Sequence, residues 1–227
     1  MASGPILSHF GVYSLETAYW ELDPADRSRV GSDFSAALAN AADSVHMYHT
    51  FGTRTNSDAI VWSTVPADGG EASGRFFERY AEAIRPFRQH VRLVDALWGF
   101  TRESEYSRSV PERGIDPLQP RVQPYLVIYP FAKTSDWYRL EPKERGRMMK
   151  EHIRVGRAHE GVDQLLLYAT GLQDHEFVVV YETDDLAAFS RLVSDLRGTE
   201  ARGYTLKDTP VHVGIHVPEG AGLWAAV

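Results

Sequence analysis

One order of elements occurs twice along the chain, and that repetition limits the fold more than any single motif does. Residues 10–15, Phe-Gly-Val-Tyr-Ser-Leu, alternate like a strand. Pro24 opens a helical stretch to about residue 42, where its missing N–H costs little. Strand patterns follow at 46–51 and 59–65, a helix at about 71–85, and a last strand at 91–100. The second half reads the same way, with strands at 124–130, 165–170, 176–181 and 211–215 and helices at 142–159 and 186–196. The interval from the helix-opening Pro to the strand-closing Gly is 28 residues in one half (24 to 52) and 29 in the other (142 to 171). Two split β-α-β units in tandem predict an α+β protein with two antiparallel sheets, each covered by helices on one face. Fused sheets of this kind are able to wrap into one barrel-like core. The expected divisions are an N-terminal half at 1–101, a Pro-rich linker at 102–122 and a C-terminal half at 123–227.

Composition narrows the chemistry. The chain has no cysteine, which excludes disulfides, thiolate nucleophiles, iron–sulfur clusters and Cys-ligated zinc. A formal charge of −7 argues against a nucleic-acid backbone binder. No apolar run reaches the roughly 18–20 residues of a membrane span, and residues 1–10 lack a signal-peptide pattern. The expected location is cytoplasmic. No phosphate-cradling loop, dinucleotide fingerprint or Ser-elbow motif appears.

Metal or cofactor ligation therefore falls to the nine histidines and the oxygen ligands. His46/His49 lie on opposite faces of a strand and His212/His216 near a terminus, so both pairs read as ordinary sheet histidines. His152 differs because Met148, Met149, His152, Val155, Gly156 and His159 recur at helical spacing. Its imidazole lies on or beside an apolar stripe, where it serves either as a satisfied core histidine or as an axial ligand to heme iron. Tyr129, Lys133 and Trp137 form a second group, readable as a pocket lining for anions or as an aromatic strand end packing on the core. Arg197 lies at a helix C-terminus, where a cation complements the helix dipole without any further role.

Together these residues resemble a family. The run Tyr129-Pro-Phe-Ala-Lys-Thr-Ser-Asp-Trp-Tyr138, then Glu144-Arg, then Met148-Met-Lys-Glu-His152 with Gly156-Arg157, is similar to the chlorite dismutase-like heme proteins. Within them it is closest to the coproheme decarboxylases, the hydrogen peroxide-dependent heme synthases. The match covers residues 123–214, and the first half agrees only in topology. The resemblance implies a dimeric α+β barrel of two ferredoxin-like halves, assembled as homo-oligomers, usually pentamers. It implies His152 as proximal iron ligand, Glu200 as partner of its other ring nitrogen, and Tyr129 as the radical-forming tyrosine. It further implies Lys133 beside a propionate, Trp137 lining the porphyrin, and Arg197 holding propionates. Gln164 matches the distal position, where chlorite dismutases carry arginine. The implied reaction converts iron coproporphyrin III to heme b with peroxide, and the partners are porphyrin and peroxide, not nucleic acid or membrane.

Two departures stand out. The decarboxylases often read His-Gly-Met-x-Gly-Arg at the ligand, whereas this chain reads His152-Ile-Arg-Val-Gly-Arg157. Actinobacterial relatives use a linker histidine to deprotonate peroxide, and residues 102–123 contain none, leaving slower peroxide activation, another base such as Glu112 or Asp116, or a departure from the standard reaction. The rival functions are a heme protein with peroxidase, chlorite-converting or heme-transport activity, and a non-catalytic α+β barrel module.

Overall fold

The computed structural model describes residues 4–103, 106, 113–218 and 224. Among these described residues, nine strands and six α-helices follow the doubled order. The first half comprises β1 (Ile6–Leu15), α1 (Thr17–Trp20), α2 (Pro24–Ala39), β2 (Ser44–His49), β3 (Ala59–Pro66), α3 (Ala72–Ile84) and β4 (Val91–Phe100). The second comprises β5 (Tyr125–Lys133), α4 (Ser135–Arg139), α5 (Pro142–Arg157), β6 (Val162–Tyr168), β7 (Phe177–Thr183), α6 (Leu186–Arg197), β8 (Thr205–Lys207) and β9 (His212–His216). Local chemistry starts these helices where the sequence places them. Proline occupies the first turn of α2 and α5, the Asp23 side chain caps α2, and Asp185 accepts from two backbone amides at the start of α6.

The two expected sheets are one closed sheet. Each half has the strand order β4-β1-β3-β2 or β6-β7-β5-β9, and the halves join edge to edge through β2–β9 and β4–β6. Every ladder in this ring is antiparallel, and β8 adds to β5 outside it. Closure removes the free edges that each half would otherwise present to another chain.

Period-2 alternation divides the side chains between two layers. Leu126, Ile128, Leu167 and Val180 face the barrel interior with Phe10 and Trp62, whose rings stack 5.2 Å apart. Val127, Tyr129, Val179 and Tyr181 face outward beneath Val155 of α5 and Phe189, Leu192 and Leu196 of α6. In the first half the corresponding outer layer holds Tyr13, Phe34, Phe76 and Tyr80. Among the described residues, no helix is long and apolar enough to cross a membrane.

Both seams depend on a glycine. A Cβ on Gly99 would lie 2.7 Å from the Tyr168 carbonyl oxygen, and one on Gly214 would lie 2.6 Å from the Tyr48 Cβ. These neighbours belong to strands across the seam and have no flexible end to move. Gly214→Ala is therefore expected to destabilise the fold by about 1–3 kcal/mol through overpacking. Gly146→Ala, where nothing lies within 4 Å of the new methyl, is expected to be neutral or mildly stabilising. Chemical denaturation of both variants checks the contrast, and equal midpoints would contradict it.

Candidate functional site

The outer layer of the second half gathers the chemistry-bearing residues. Helix α5 places Met148 and His152 one turn apart on its inward side. Met148 packs with Trp137 and Ala201, while Val155, a turn beyond His152, joins the layer under α6. His152 is half-buried, and its Nδ1 lies 3.2 Å from the Thr199 hydroxyl oxygen. That hydroxyl donates its only proton to the Leu196 carbonyl at 2.7 Å. It therefore accepts from the ring, so His152 carries its proton on Nδ1 and keeps the Nε2 lone pair. Burial, aided by the Lys133 ammonium and opposed by Glu151, holds the imidazole below its ordinary pKa. A neutral ring with an Nε2 lone pair is the form that ligates a metal.

This arrangement corrects one sequence expectation. The partner of the second ring nitrogen is Thr199, not Glu200. Glu200 instead makes a bidentate pair with Arg147, at 2.8 and 2.6 Å, on the protein surface. Its neighbour in sequence is buried where the turn after α6 meets α5, and a buried hydroxyl does the orienting work expected of an acid.

Tyr129 and Lys133 extend from β5 into the same layer. Lys133 Nζ donates to the Ala201 carbonyl at 3.0 Å and sits 4.5 Å from the centre of the Trp137 ring. Burial, then the charge of Arg202, lowers its pKa to about 8 against an opposing contribution from Glu176. Burial raises the pKa of Tyr129, opposed by the Tyr181 hydroxyl, while Asp208 reinforces burial and Arg197 and Arg202 oppose it. Arg202 lies 3.1 Å and Arg197 3.6 Å from the Asp208 carboxylate. Arg197 and Arg202 thus bear on a half-buried phenol, with Asp208 as the carboxylate between them, while Lys133 sits farther along β5 against Trp137.

Gln164 lies on β6, on the helix-facing side shared with Val162, and is exposed. Its backbone pairs with the linker, donating to the Arg113 carbonyl at 3.1 Å and accepting from Ile115 N–H at 3.0 Å. In register it stands opposite Tyr181, while Leu166 stands opposite Val179, which pairs with Tyr129. Leu166 is 39% exposed on this otherwise apolar side, so the helices leave part of the sheet uncovered. Asp116 caps its own turn by accepting from Leu118 N–H, and Glu112 lies outside the described residues.

The sequence reading missed Thr199, Arg202, Asp208 and Tyr181. Arg202 and Thr199 flank the segment read as a simple helix end. Tyr181 lies in a strand whose apolar run gives no hint of which hydroxyl it meets.

The chlorite dismutase family model matches residues 27–217. The chain belongs to the chlorite dismutase family. Coproheme decarboxylase from Mycolicibacterium smegmatis is 29% identical over 174 residues, spanning 74% of this chain and 71% of the relative. Coproheme decarboxylase from Thermus thermophilus is 32% identical over 125 residues, 48% of this chain and 50% of that one. Among solved structures, a chlorite dismutase variant from Candidatus Nitrospira defluvii superposes with a TM-score of 0.81. That match covers 97% of this chain and 94% of the other at 19% identity, a likeness of fold.

The tautomer assignment is directly testable. Nitrogen-15 NMR of the metal-free protein is expected to show His152 protonated on Nδ1, with the imidazolium forming only below the usual histidine range. In Thr199→Val the tautomer preference should be lost and stability should fall by about 1 kcal/mol. An unchanged ring spectrum in the variant would contradict the assignment.

Proposed function

We propose that this family member is a coproheme decarboxylase, which removes two propionate carboxyl groups from iron coproporphyrin III with hydrogen peroxide to give heme b. The observation that carries this reading is that half-buried Tyr129 is flanked by Arg197 and Arg202, while Lys133, farther along the same strand, bears on His152. Two relatives named coproheme decarboxylase support it.

The residues fit an iron porphyrin. Among the described residues no group of three His, Asp or Glu is arranged to hold a metal ion. A metal at His152 must therefore bring most of its ligands with it, as a macrocyclic complex does. The Nδ1–H bond to Thr199 fixes the ring and raises the basicity of Nε2. A Cβ on Gly156 would come no closer than 4.0 Å to Leu196, so the helix is not jammed against its neighbour at this level. Arg197 and Arg202 already share a carboxylate, that of Asp208, which is the group type a propionate would present.

The bound iron supplies the redox centre that peroxide oxidises. His152 would ligate it, and Arg197 and Arg202 beside Tyr129, with Lys133 farther along β5, would hold propionates so that one stands against the phenol. Oxidised by one electron and one proton, Tyr129 takes a hydrogen atom from the propionate β-carbon and returns to the phenol. The second electron passes to the oxidising equivalent that peroxide supplies, the Cα–carboxyl bond breaks, carbon dioxide leaves and a vinyl group remains. Per propionate, one peroxide is reduced to two waters and one carboxyl leaves as carbon dioxide. Trp137 keeps water from the Lys133 side. By the resemblance Gln164 matches the position where chlorite dismutases carry arginine, and no arginine occurs between residues 158 and 170, which supports this reaction over chlorite conversion.

Ferric coproheme added to the protein is expected to give a shifted Soret band, and peroxide should then produce two discrete mass steps in the extracted porphyrin. Tyr129→Phe should bind coproheme with unchanged affinity and yield neither step, and His152→Ala should lose the Soret shift. Normal product formation by Tyr129→Phe would overturn the reading. Because free Lys133 loses its proton near pH 8, coproheme affinity should weaken as pH rises through that value. In Lys133→Arg, which stays charged, that part of the pH dependence should vanish.

A further inference from the structure

We infer that Asp208 is a specificity-determining residue of this site: its carboxylate cancels one of the two charges of Arg197 and Arg202 and so sets how tightly the site keeps a carboxylated porphyrin. The inference rests on the porphyrin reading proposed above and names the group that limits retention of substrate and product. One stretch of chain supplies the pieces. Arg197 ends α6, the Thr199 hydroxyl meets the His152 ring at 3.2 Å, and the Ala201 carbonyl accepts from Lys133 Nζ at 3.0 Å. Arg202 is the next residue, and Asp208 follows β8. Contacts at residues 199 and 201 thus fix the stretch that bears both arginines against the imidazole and the lysine.

A single oxygen serves both arginines. Asp208 Oδ2 lies 3.1 Å from Nη2 of Arg202 and 3.6 Å from Nη2 of Arg197. A guanidinium carries five N–H donors in a planar fork that matches both oxygens of a carboxylate. Arg147 gives the saturated case in the same protein, with Nη1 and Nη2 on the two oxygens of Glu200 at 2.8 and 2.6 Å. Arg197 and Arg202 have no such bidentate partner. The Asp208 side chain is 22% exposed, against 59% for Arg197 and 32% for Arg202. An incoming carboxylate therefore meets the remaining donors on the open side of the pair without evicting Asp208.

What that carboxylate meets is a reduced charge. Two guanidiniums alone would present two positive charges, because arginine keeps its proton in proteins. With Asp208 between them one remains, and the attraction for each ligand carboxylate falls with it. The consequence is greatest at release. Coproheme brings four carboxylates and heme b keeps two, so a pair at full charge would still grip the product by those that remain. Asp208 loosens that grip while leaving the forks available for recognition.

The test compares the parent with Asp208→Asn, which keeps the shape and removes the charge, and Asp208→Glu, which keeps the charge. Soret titration with ferric coproheme should show about three- to tenfold tighter binding in Asp208→Asn, the effect of one partly screened charge. Its affinity should also fall more steeply with salt. Asp208→Glu should bind like the parent. Transfer of heme b to apomyoglobin should be slower from Asp208→Asn by the same factor. Unchanged or weaker coproheme binding by folded Asp208→Asn would overturn the inference, the weaker result making Asp208 a plain support for the arginines. If the parent bound no coproheme, the porphyrin reading would fail. Calorimetry with tricarballylate, which carries three carboxylates, would then decide the charge effect by itself. Tighter binding by Asp208→Asn would support it, and equal affinity, or no binding by either protein, would overturn it. Should Asp208→Asn not fold, Asp208→Ser is expected to show the same gain, and no gain there would count against the inference.

Discussion

A relay of two hydrogen bonds, from the His152 ring to the Thr199 hydroxyl and from that hydroxyl to the Leu196 carbonyl, governs what the site is able to do. The Leu196 carbonyl in the last turn of α6 accepts both the Thr199 backbone N–H at 3.1 Å and the Thr199 hydroxyl at 2.7 Å. With its proton committed, the hydroxyl has only lone pairs to offer the imidazole. The imidazole consequently presents a basic Nε2. Thr199 itself is buried, which excludes competing water and ties the tautomer of one ring to the packing of two helices. The other residues of the site are arranged around a ligand whose iron this nitrogen would hold.

The doubled fold raises the question of why only one half carries such a site. In the first half, Tyr13, Phe34, Phe76, Tyr80 and the ring of Trp224 fill the layer between sheet and helices. A side chain at Gly11 would collide with the Tyr80 hydroxyl and the Tyr13 ring. The second half has fewer large side chains in this layer and leaves Gln164 and Leu166 exposed on the helix-facing side of β6. Identical topology thus yields a solid core on one side and an open, cation-lined layer on the other. The barrel interior between them is a continuous, largely apolar cluster, with buried Glu182 accepting from the Tyr48 hydroxyl at 3.0 Å, so each outer layer is free to diverge without disturbing closure.

Much of this was legible in the residues themselves. Strand alternation, helix-opening prolines and strand-closing glycines set out the repeat, and the helical spacing from Met148 to His159 placed His152 on the inward side of α5. Strands β1 and β6 begin earlier than expected, at Ile6 and Val162, because ladder partners extend them beyond their own apolar pattern. Helices α1 and α4 and strand β8, of four, five and three residues, are too short to show a period at all. The exchange of Thr199 for Glu200 has a similar origin. Residue type favoured the acid, but the path of the turn after α6, which tertiary packing sets, decides which of two adjacent side chains enters. Arg202 and Tyr181 were hidden because their roles depend on neighbours far away in sequence.

The central claim is that His152 Nε2 is the protein's bond to iron. A crystal structure of the complex with ferric coproporphyrin III tests it most directly. The account predicts iron within bonding distance of Nε2, Nδ1 still on Thr199, and a propionate in reach of Arg197 or Arg202 beside Tyr129. A porphyrin bound elsewhere, or held with the His152 ring turned into the hydrocarbon around Val155, would contradict it.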